Sequence, residues 1–235
     1  MNILVARRSE QAFDLHDEQA MYRLRYKVFY ERLRWDVPTA NGEERDQYDD
    51  LDPVYMLYKS PQDIVQGCWR LLPTQGPYML RDTFPQLLHG QAAPSAPDIW
   101  EMSRFAIEGS EQSGFGFTAT PVAMIRNVLL FARAHGISRY VTVSTVAVER
   151  MLTKLGINTT RLGPPLQIGI ARAVAFYVEM DEQAERVLLP RCELGGEGII
   201  VRKEARPIYC PSLPRDGAAP VYTPPSHVGA QLCSP

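Results

Sequence analysis

The segment TATPVAMIRNVLLFARAHGISRYVTVSTVAVERMLTKL, residues 118–155, reads as helix, strand, helix. Thr118 or Thr120 supplies an N-cap, Pro121 suits the first turn of a helix running to His135, and Gly136 ends it. Tyr140 to Thr145 (YVTVST) is β-branched and strand-like. A second helix, Val146 to Leu155, is stopped by Gly156. Strands and helices alternating at this spacing give an α/β domain.

The same alternation continues outward. Leu166 to Ile170 and Ala173 to Glu179 read as strands, followed by a short helix from Asp181 to Leu189. After Pro190 the composition shifts to Pro and Gly without a sustained apolar period. Residues 191–235 therefore read as a loosely ordered extension, with one strand at Gly198 to Arg202. Toward the N-terminus, Ile99 to Ile107 (IWEMSRFAI) alternates as a strand, and Pro73 to Pro97 is a Pro- and Gly-rich connection holding one short element. Val54 to Lys59 and Ile64 to Leu72 are two strands joined by a turn at residues 60–63. Asn2 to Arg7 is a short apolar strand. From Asp14 to Arg34 the period is helical, with Met21, Leu24, Val28 and Leu33 near i, i+3, i+4 spacing. The acid-rich stretch 40–53, ANGEERDQYDDLDP, is a loop by composition.

At 235 residues the chain has room for one sizeable core. A net charge of -2 supplies no global pull toward nucleic acid, so an anionic partner needs a local basic patch. Cys68, Cys192, Cys210 and Cys233 are widely spaced, which supports neither zinc ligation nor a disulfide framework. His16, His89, His135 and His227 lack metal-ligand spacing, so no metal is expected. The first residues are too short an apolar run for a signal peptide, and no stretch approaches the ~20 apolar residues of a membrane span. A cytoplasmic location is the expectation.

Two constellations carry chemistry. Arg25, Phe29, Trp35, Asp46 and Asp49 follow the order R-x3-F-x5-W-x10-D-x2-D. Arg25 and Phe29, four apart, share one helix face. A guanidinium beside aromatic rings and carboxylates suits a cationic amino acid: it grips a carboxylate bidentately, while the rings face a cation. A helix that packs Phe29 and Trp35 and leaves its charges in water explains the same pattern, and on residue physics alone is commoner. The second constellation is Trp100-Glu101-Met102-Ser103-Arg104-Phe105. Strict alternation puts Glu101, Ser103 and Phe105 on one face and Trp100, Met102 and Arg104 on the other. Charges in so apolar a strand need partners, and Arg70 across the sheet is the candidate. A structural ion pair and a pocket base both fit Glu101.

Taken together, Arg25, Phe29, Trp35, Asp46, Asp49, Arg70, Glu101 and Arg104 resemble, in order and separation, the signature of the acyl-homoserine-lactone synthases, the LuxI-type autoinducer synthases. The resemblance runs on through residues 141–145, 146–152 and 163–178 and covers roughly residues 1–190. It implies a GNAT-like acyltransferase fold, a twisted mixed sheet whose central strands splay apart, flanked by helices. It further implies a transferase that N-acylates S-adenosylmethionine from acyl carrier protein. Lactonisation then releases 5′-methylthioadenosine and a quorum-sensing signal, with no cofactor beyond the substrates.

On this resemblance Glu101 is the base, directly or through a water, and Arg104 shares the catalytic site. Arg25, Phe29, Trp35, Asp46, Asp49 and Arg104 hold S-adenosylmethionine, with Arg70 as the ion-pairing residue. Ser103, Phe105, Thr142 and Ser144 line the acyl pocket, where a hydroxyl favours a 3-oxo chain. A pair of solvent-facing polar residues explains Thr142 and Ser144 equally well. Arg150 and Lys154, four apart on one helix, suit docking of an acidic carrier protein or simply form a solvated face. No acyl-enzyme is required, so Cys68 fills space. Gly114 and Gly116 match neither a P-loop nor a dinucleotide fingerprint. The chain also lacks the Q/R-x-x-G-x-G/A pattern of coenzyme A-dependent GNAT enzymes, which favours carrier protein as donor. The alternatives are a GNAT-like N-acyltransferase acting on another amine and a catalytically silent binding protein.

Overall fold

In the computed structural model, residues 2–108 and 119–189 are described. Strand β1 (Asn2–Arg7) leads to helix α1 (Leu15–Arg25), whose first turn is closed by the Asp14 side chain accepting from the Asp17 N–H at 2.8 Å. Its buried face carries Met21, Tyr22 and Leu24, and also Arg25. The single helix expected over residues 14–34 widens after Arg25. Tyr26–Arg32 is π-helical, and the Leu33 N–H reaches the Val28 carbonyl at 3.0 Å. Such wide turns are frequent at functional sites.

The stretch expected to be plain loop holds a two-strand ribbon, β2 (Thr39–Ala40) and β3 (Glu43–Glu44). Asn41 and Gly42 turn it with φ of 54° and 76°, the left-handed pair that matches strand twist. A 3₁₀ turn, Gln47–Leu51, follows, capped reciprocally by Asp46 and Asp49. Next come β4 (Val54–Lys59), β5 (Val65–Pro73), α2 (Met79–Asp82), a 3₁₀ turn at Pro85–Leu88, and β6 (Ile99–Ile107). The remainder is α3 (Ala119–His135), β7 (Arg139–Thr145), α4 (Val146–Lys154), β8 (Thr159–Arg161), β9 (Leu166–Ile168), β10 (Ala171–Glu179) and α5 (Glu182–Leu188). Strand β8 has no counterpart in the sequence reading, because Thr-Thr-Arg at a sheet edge carries no apolar alternation. The expected extension over 191–235, its strand at 198–202, and Gly114 and Gly116 lie outside the described residues.

The main sheet runs β1-β4-β5-β6-β7-β10-β8, with β9 also on β10. Every pairing is antiparallel except β6 with β7, the crossover being made through α3. This central pair is joined only at Ile99↔Arg139, Trp100↔Tyr140 and Glu101↔Val141. Strand β6 continues to Ile107 and β7 to Thr145, so beyond Glu101 the two strands part into a wedge.

Helix α1 and the π-helical turn cover one face of the sheet: Met21, Leu24, Val28 and Phe29 pack with Leu57, Cys68 and Ala106. A second cluster on that face joins Leu72, Tyr78, Leu80, Leu87 and Val141. Helix α3 covers the other face. Its Phe131 meets Trp100 edge-on at 5.8 Å, and its Val128 carbonyl accepts from the Tyr140 hydroxyl. It passes so close to β5 that a Cβ on Gly67 would stand 2.7 Å from the Met124 sulfur. Among the described residues no helix is long and apolar enough to cross a membrane.

Candidate active site

Three arginines and three carboxylates are buried together between α1, the ribbon and the central strands. Arg25 and Arg70 are fully enclosed, as are Glu44 and Asp49, with Asp46 and Arg104 nearly so. Arg25 donates Nη1 and Nη2 to the two oxygens of Asp49 at 2.8 and 2.9 Å, and Nε to Glu44 at 2.6 Å. Arg70 reaches Asp46 at 2.5 and 3.1 Å, Asp49 at 2.8 Å and the Ser103 hydroxyl at 3.2 Å. Arg104 places Nη2 2.7 Å from both Glu44 and Asp46. The Tyr55 hydroxyl donates to Asp49 at 2.6 Å. Charges match three to three, the condition under which buried ions are tolerated; removing one partner strands another.

Titration behaviour follows from this packing. Burial works against the charged form of Asp49, yet Arg25 and Arg70 outweigh it and hold the carboxyl well below the usual range. Asp46 is lowered in the same way, burial being overcome by Arg104 and Arg70. Burial likewise opposes the charge on Arg25, but Asp49 and Glu44 hold its guanidinium well above the ordinary value.

Strand β6 departs from strict alternation at the centre of the site. Arg104 has φ 55°, and the pairing with β5 slips between Cys68↔Ala106 and Arg70↔Ser103, so Arg104 and Phe105 together face Trp69. This is a β-bulge. Ser103 and Arg104 consequently lie on the same side, in the ion cluster, while Phe105 stacks on Trp69 at 4.4 Å on the α3 side. The expected faces are thus corrected: Glu101 and Ser103 keep theirs, and Arg104 and Phe105 exchange. Ser103, expected beside Phe105 in the acyl pocket, bonds Arg70 on the opposite face.

Glu101 is also placed differently from the expected pairing with Arg70. Its two oxygens accept from the Met79 and Leu80 N–H groups at 3.0 and 2.8 Å, closing the start of α2. Burial pushes its carboxyl above the usual range, against those two backbone donors and the more distant Arg70 and Arg104.

Next to the cluster stands an aromatic corner. Trp35 packs on Phe29 with ring centres 5.6 Å apart and meets Phe84 edge-on at 6.1 Å. The Arg104 guanidinium lies 5.1 Å over the Phe29 ring, and its Nη1 donates to the Met79 sulfur at 3.2 Å. The buried Trp35 Nε1 has no hydrogen-bond partner among the described residues. Corner and cluster together present a cation-facing aromatic wall beside guanidinium groups.

Thr142 and Ser144 share a face with Tyr140, toward α3, and so lie on the side of the sheet that holds Phe105. Arg150 and Lys154 are exposed on α4, whereas Arg161 is tied to Glu149 through two bonds of 2.6 and 2.7 Å. Burial pushes the Cys68 thiol up to about 12, which leaves no thiolate to act as nucleophile. Asp14, His16 and Asp17 come close at the start of α1, but Asp14 caps the helix and Asp17 already holds Lys59.

Sequence reasoning missed Glu44, which bridges Arg25 and Arg104, along with Tyr55, Met79 and Phe84. Glu44 sits among eight charged or amide side chains between 43 and 52, none marked by its neighbours as the buried one. Charge counting did not expose it either: Glu101 already supplied a third carboxylate for the three arginines, and only its seat on the Met79 and Leu80 N–H groups leaves that place to Glu44.

A mixed sheet wedged open at its centre, with a buried ion cluster against one face, defines a GNAT-like acyltransferase. The chain belongs to the autoinducer synthase family, whose model matches residues 10–188. It is 43% identical over 190 residues to an acyl-homoserine-lactone synthase of Pseudomonas aeruginosa, covering 80% of this chain and 94% of that one. Its fold matches the crystal structure of the AHL synthase LasI with TM-score 0.74 and 41% identity, over 83% of this chain and 98% of the other. TofI, solved in a ternary complex with an inhibitor and MTA, matches with TM-score 0.69 and 33% identity over 80% and 96% of the two chains.

Proposed function

We propose that the chain is an acyl-homoserine-lactone synthase that joins an acyl group from acyl carrier protein to the amine of S-adenosylmethionine. One observation carries the reading: Glu101 stands at the last paired position before β6 and β7 part, with the ion cluster and aromatic corner on its own face of the sheet. A base at the apex of a wedge serves an amine on one side and a thioester entering from the other.

In this reaction Arg104 and Asp46, the least enclosed members of the cluster, face the charged ends of S-adenosylmethionine, and Phe29 and Trp35 face its sulfonium. Arg25 and Asp49, fully enclosed, fix Arg104 and Asp46 from within. Arg70 fixes Asp46 and Asp49 in place. Glu101, raised by burial, takes a proton from the amine through a water, since both its oxygens already accept backbone N–H groups. The nitrogen then attacks the thioester carbonyl. Backbone N–H groups left unpaired along the wedge stabilise the oxyanion, and the carrier thiol leaves. Finally the substrate carboxylate attacks its own γ-carbon, closing the lactone and expelling 5′-methylthioadenosine. That step needs positioning more than a catalyst, because the sulfonium is already a good leaving group.

No cofactor enters this scheme. Phe105, Thr142 and Ser144 line the acyl side, where either hydroxyl can donate to a 3-oxo group. Exposed Arg150 and Lys154 offer an acidic carrier protein a docking face. The setting is the cytoplasm, and the product is a quorum-sensing signal.

The test is to incubate purified protein with S-adenosylmethionine and acyl groups on carrier protein or on coenzyme A, and to follow products by mass spectrometry. Lactone together with 5′-methylthioadenosine is expected, from carrier protein in preference to coenzyme A. Acylation of another amine without 5′-methylthioadenosine would identify a different N-acyltransferase. Absence of all turnover would leave only a binding protein and overturn the proposal.

A further inference from the structure

The turn between β9 and β10 reaches the aromatic corner from outside. Gly169 has φ +56°, and a Cβ built on it would stand 2.6 Å from the Arg34 carbonyl oxygen and 3.2 Å from that of Leu33. Both are backbone atoms, which cannot swing aside as a side chain can. Gln167 Nε2 donates to the Gly169 carbonyl at 3.0 Å and ties the turn. Ile168 packs against both apolar clusters on this face of the sheet. Across the contact, Arg34 is itself left-handed, at φ 53°. That conformation costs an L-residue about 1–2 kcal/mol and persists where its surroundings over-determine it. The bend at Arg34 brings the Trp35 N–H to the Phe29 carbonyl at 2.9 Å and sets the Trp35 ring against Phe29 and Phe84.

We propose that Gly169 is a positioning residue for the amine substrate: the β9–β10 turn buttresses the Leu33–Arg34 bend and so fixes the Trp35 ring against which that substrate is held. The inference rests on the reading of S-adenosylmethionine as acceptor. Gly169 touches no reacting group. A side chain there forces the bend outward and moves Trp35, while Glu101, the wedge and the acyl-side residues stay where they are.

The measurement is steady-state kinetics of the full chain with both substrates varied. Gly169→Ala raises KM for S-adenosylmethionine about tenfold and leaves KM for the acyl carrier within about twofold. Gly136→Ala is the control. It shares the left-handed backbone (φ +66°) but has nothing within 4 Å, so it lowers the melting temperature without moving either KM. Arg34→Gly, added to Gly169→Ala, lets the bend give way and returns most of the lost affinity. Should Gly169→Ala fail to fold, Gln167→Ala unties the turn without a collision, and about a threefold rise in the same KM is expected. An unchanged KM for S-adenosylmethionine, an equal rise in both KM values, or the same rise in Gly136→Ala overturns the proposal. A wild-type chain that turns over no S-adenosylmethionine overturns the acceptor reading as well; an active wild type with indifferent variants overturns this proposal alone.

Discussion

Glu44 holds two arginines at once, one from helix α1 and one from strand β6. Replacing it with glutamine keeps the shape and removes the charge, leaving three guanidinium groups against two carboxylates. Glu44→Gln is expected to cost about 3 kcal/mol of stability in urea denaturation, since breaking a buried charge set leaves an uncompensated ion. The acid side of the stability curve belongs to Asp49. Its folded pKa is depressed below the ordinary value near 3.9, so its contribution is complete above that pH and drains away as the pH falls through the folded value. The stability gap between wild type and Asp49→Asn should therefore be flat from pH 7 to about 5 and shrink only below about 4. Glu101 has the opposite sign: its raised pKa gives stability below the ordinary glutamate value that is lost as the pH rises through the folded one.

At the scale of elements, the bulge in β6 makes a distinct demand on Arg104. A residue at φ 55° costs about 1 kcal/mol more as alanine than as glycine. Arg104→Gly and Arg104→Ala are both expected to lose turnover, with the glycine variant the more stable by about 1 kcal/mol in denaturant. Equal stabilities would show that the bulge relaxes once the guanidinium is gone. The bounds of β6 were legible because nine mainly apolar residues lie between turn-forming segments, and they match the structure at both ends. Its faces were not, because a bulge inserts one residue without any mark in the apolar pattern. The ribbon before it was legible in principle, since Asn41-Gly42 is a strong hairpin signal that the surrounding acids conceal. Strand β8 was not, as its three polar residues pair only through their backbone with β10. Of the site, Arg25, Phe29, Trp35, Asp46, Asp49, Arg70 and Arg104 all stood in one ordered family pattern. The bend that carries Trp35 to Phe29 did not, because nothing in the residue type of Arg34 announces a left-handed turn.

For the molecule as a whole, every residue assigned to the reaction precedes Pro190, and the family match ends at 188. A chain ending at Pro190 is expected to keep kcat/KM within about twofold of the full protein, a change below about 0.5 kcal/mol in transition-state stabilisation. A larger loss would assign residues 191–235 a part in catalysis or in holding helix α5.

The parting of β6 and β7 gives the sheet an edge at its centre. Strand edges ordinarily lie at the perimeter, where charges and short lengths guard them against pairing with a stranger. Here the unpaired ladder is in the middle, and pairing it would close the wedge. In hydrogen–deuterium exchange, the amides of β7 that face the gap should trade with solvent like rim amides, and an arriving thioester arm should slow them. If the proposed acyl donor enters here, an arm that carries amides at strand spacing is expected to compete for the site better than bare hydrocarbon of equal length, which inhibition of turnover by each would measure. A backbone left unfinished in this way recognises its guest by completing itself.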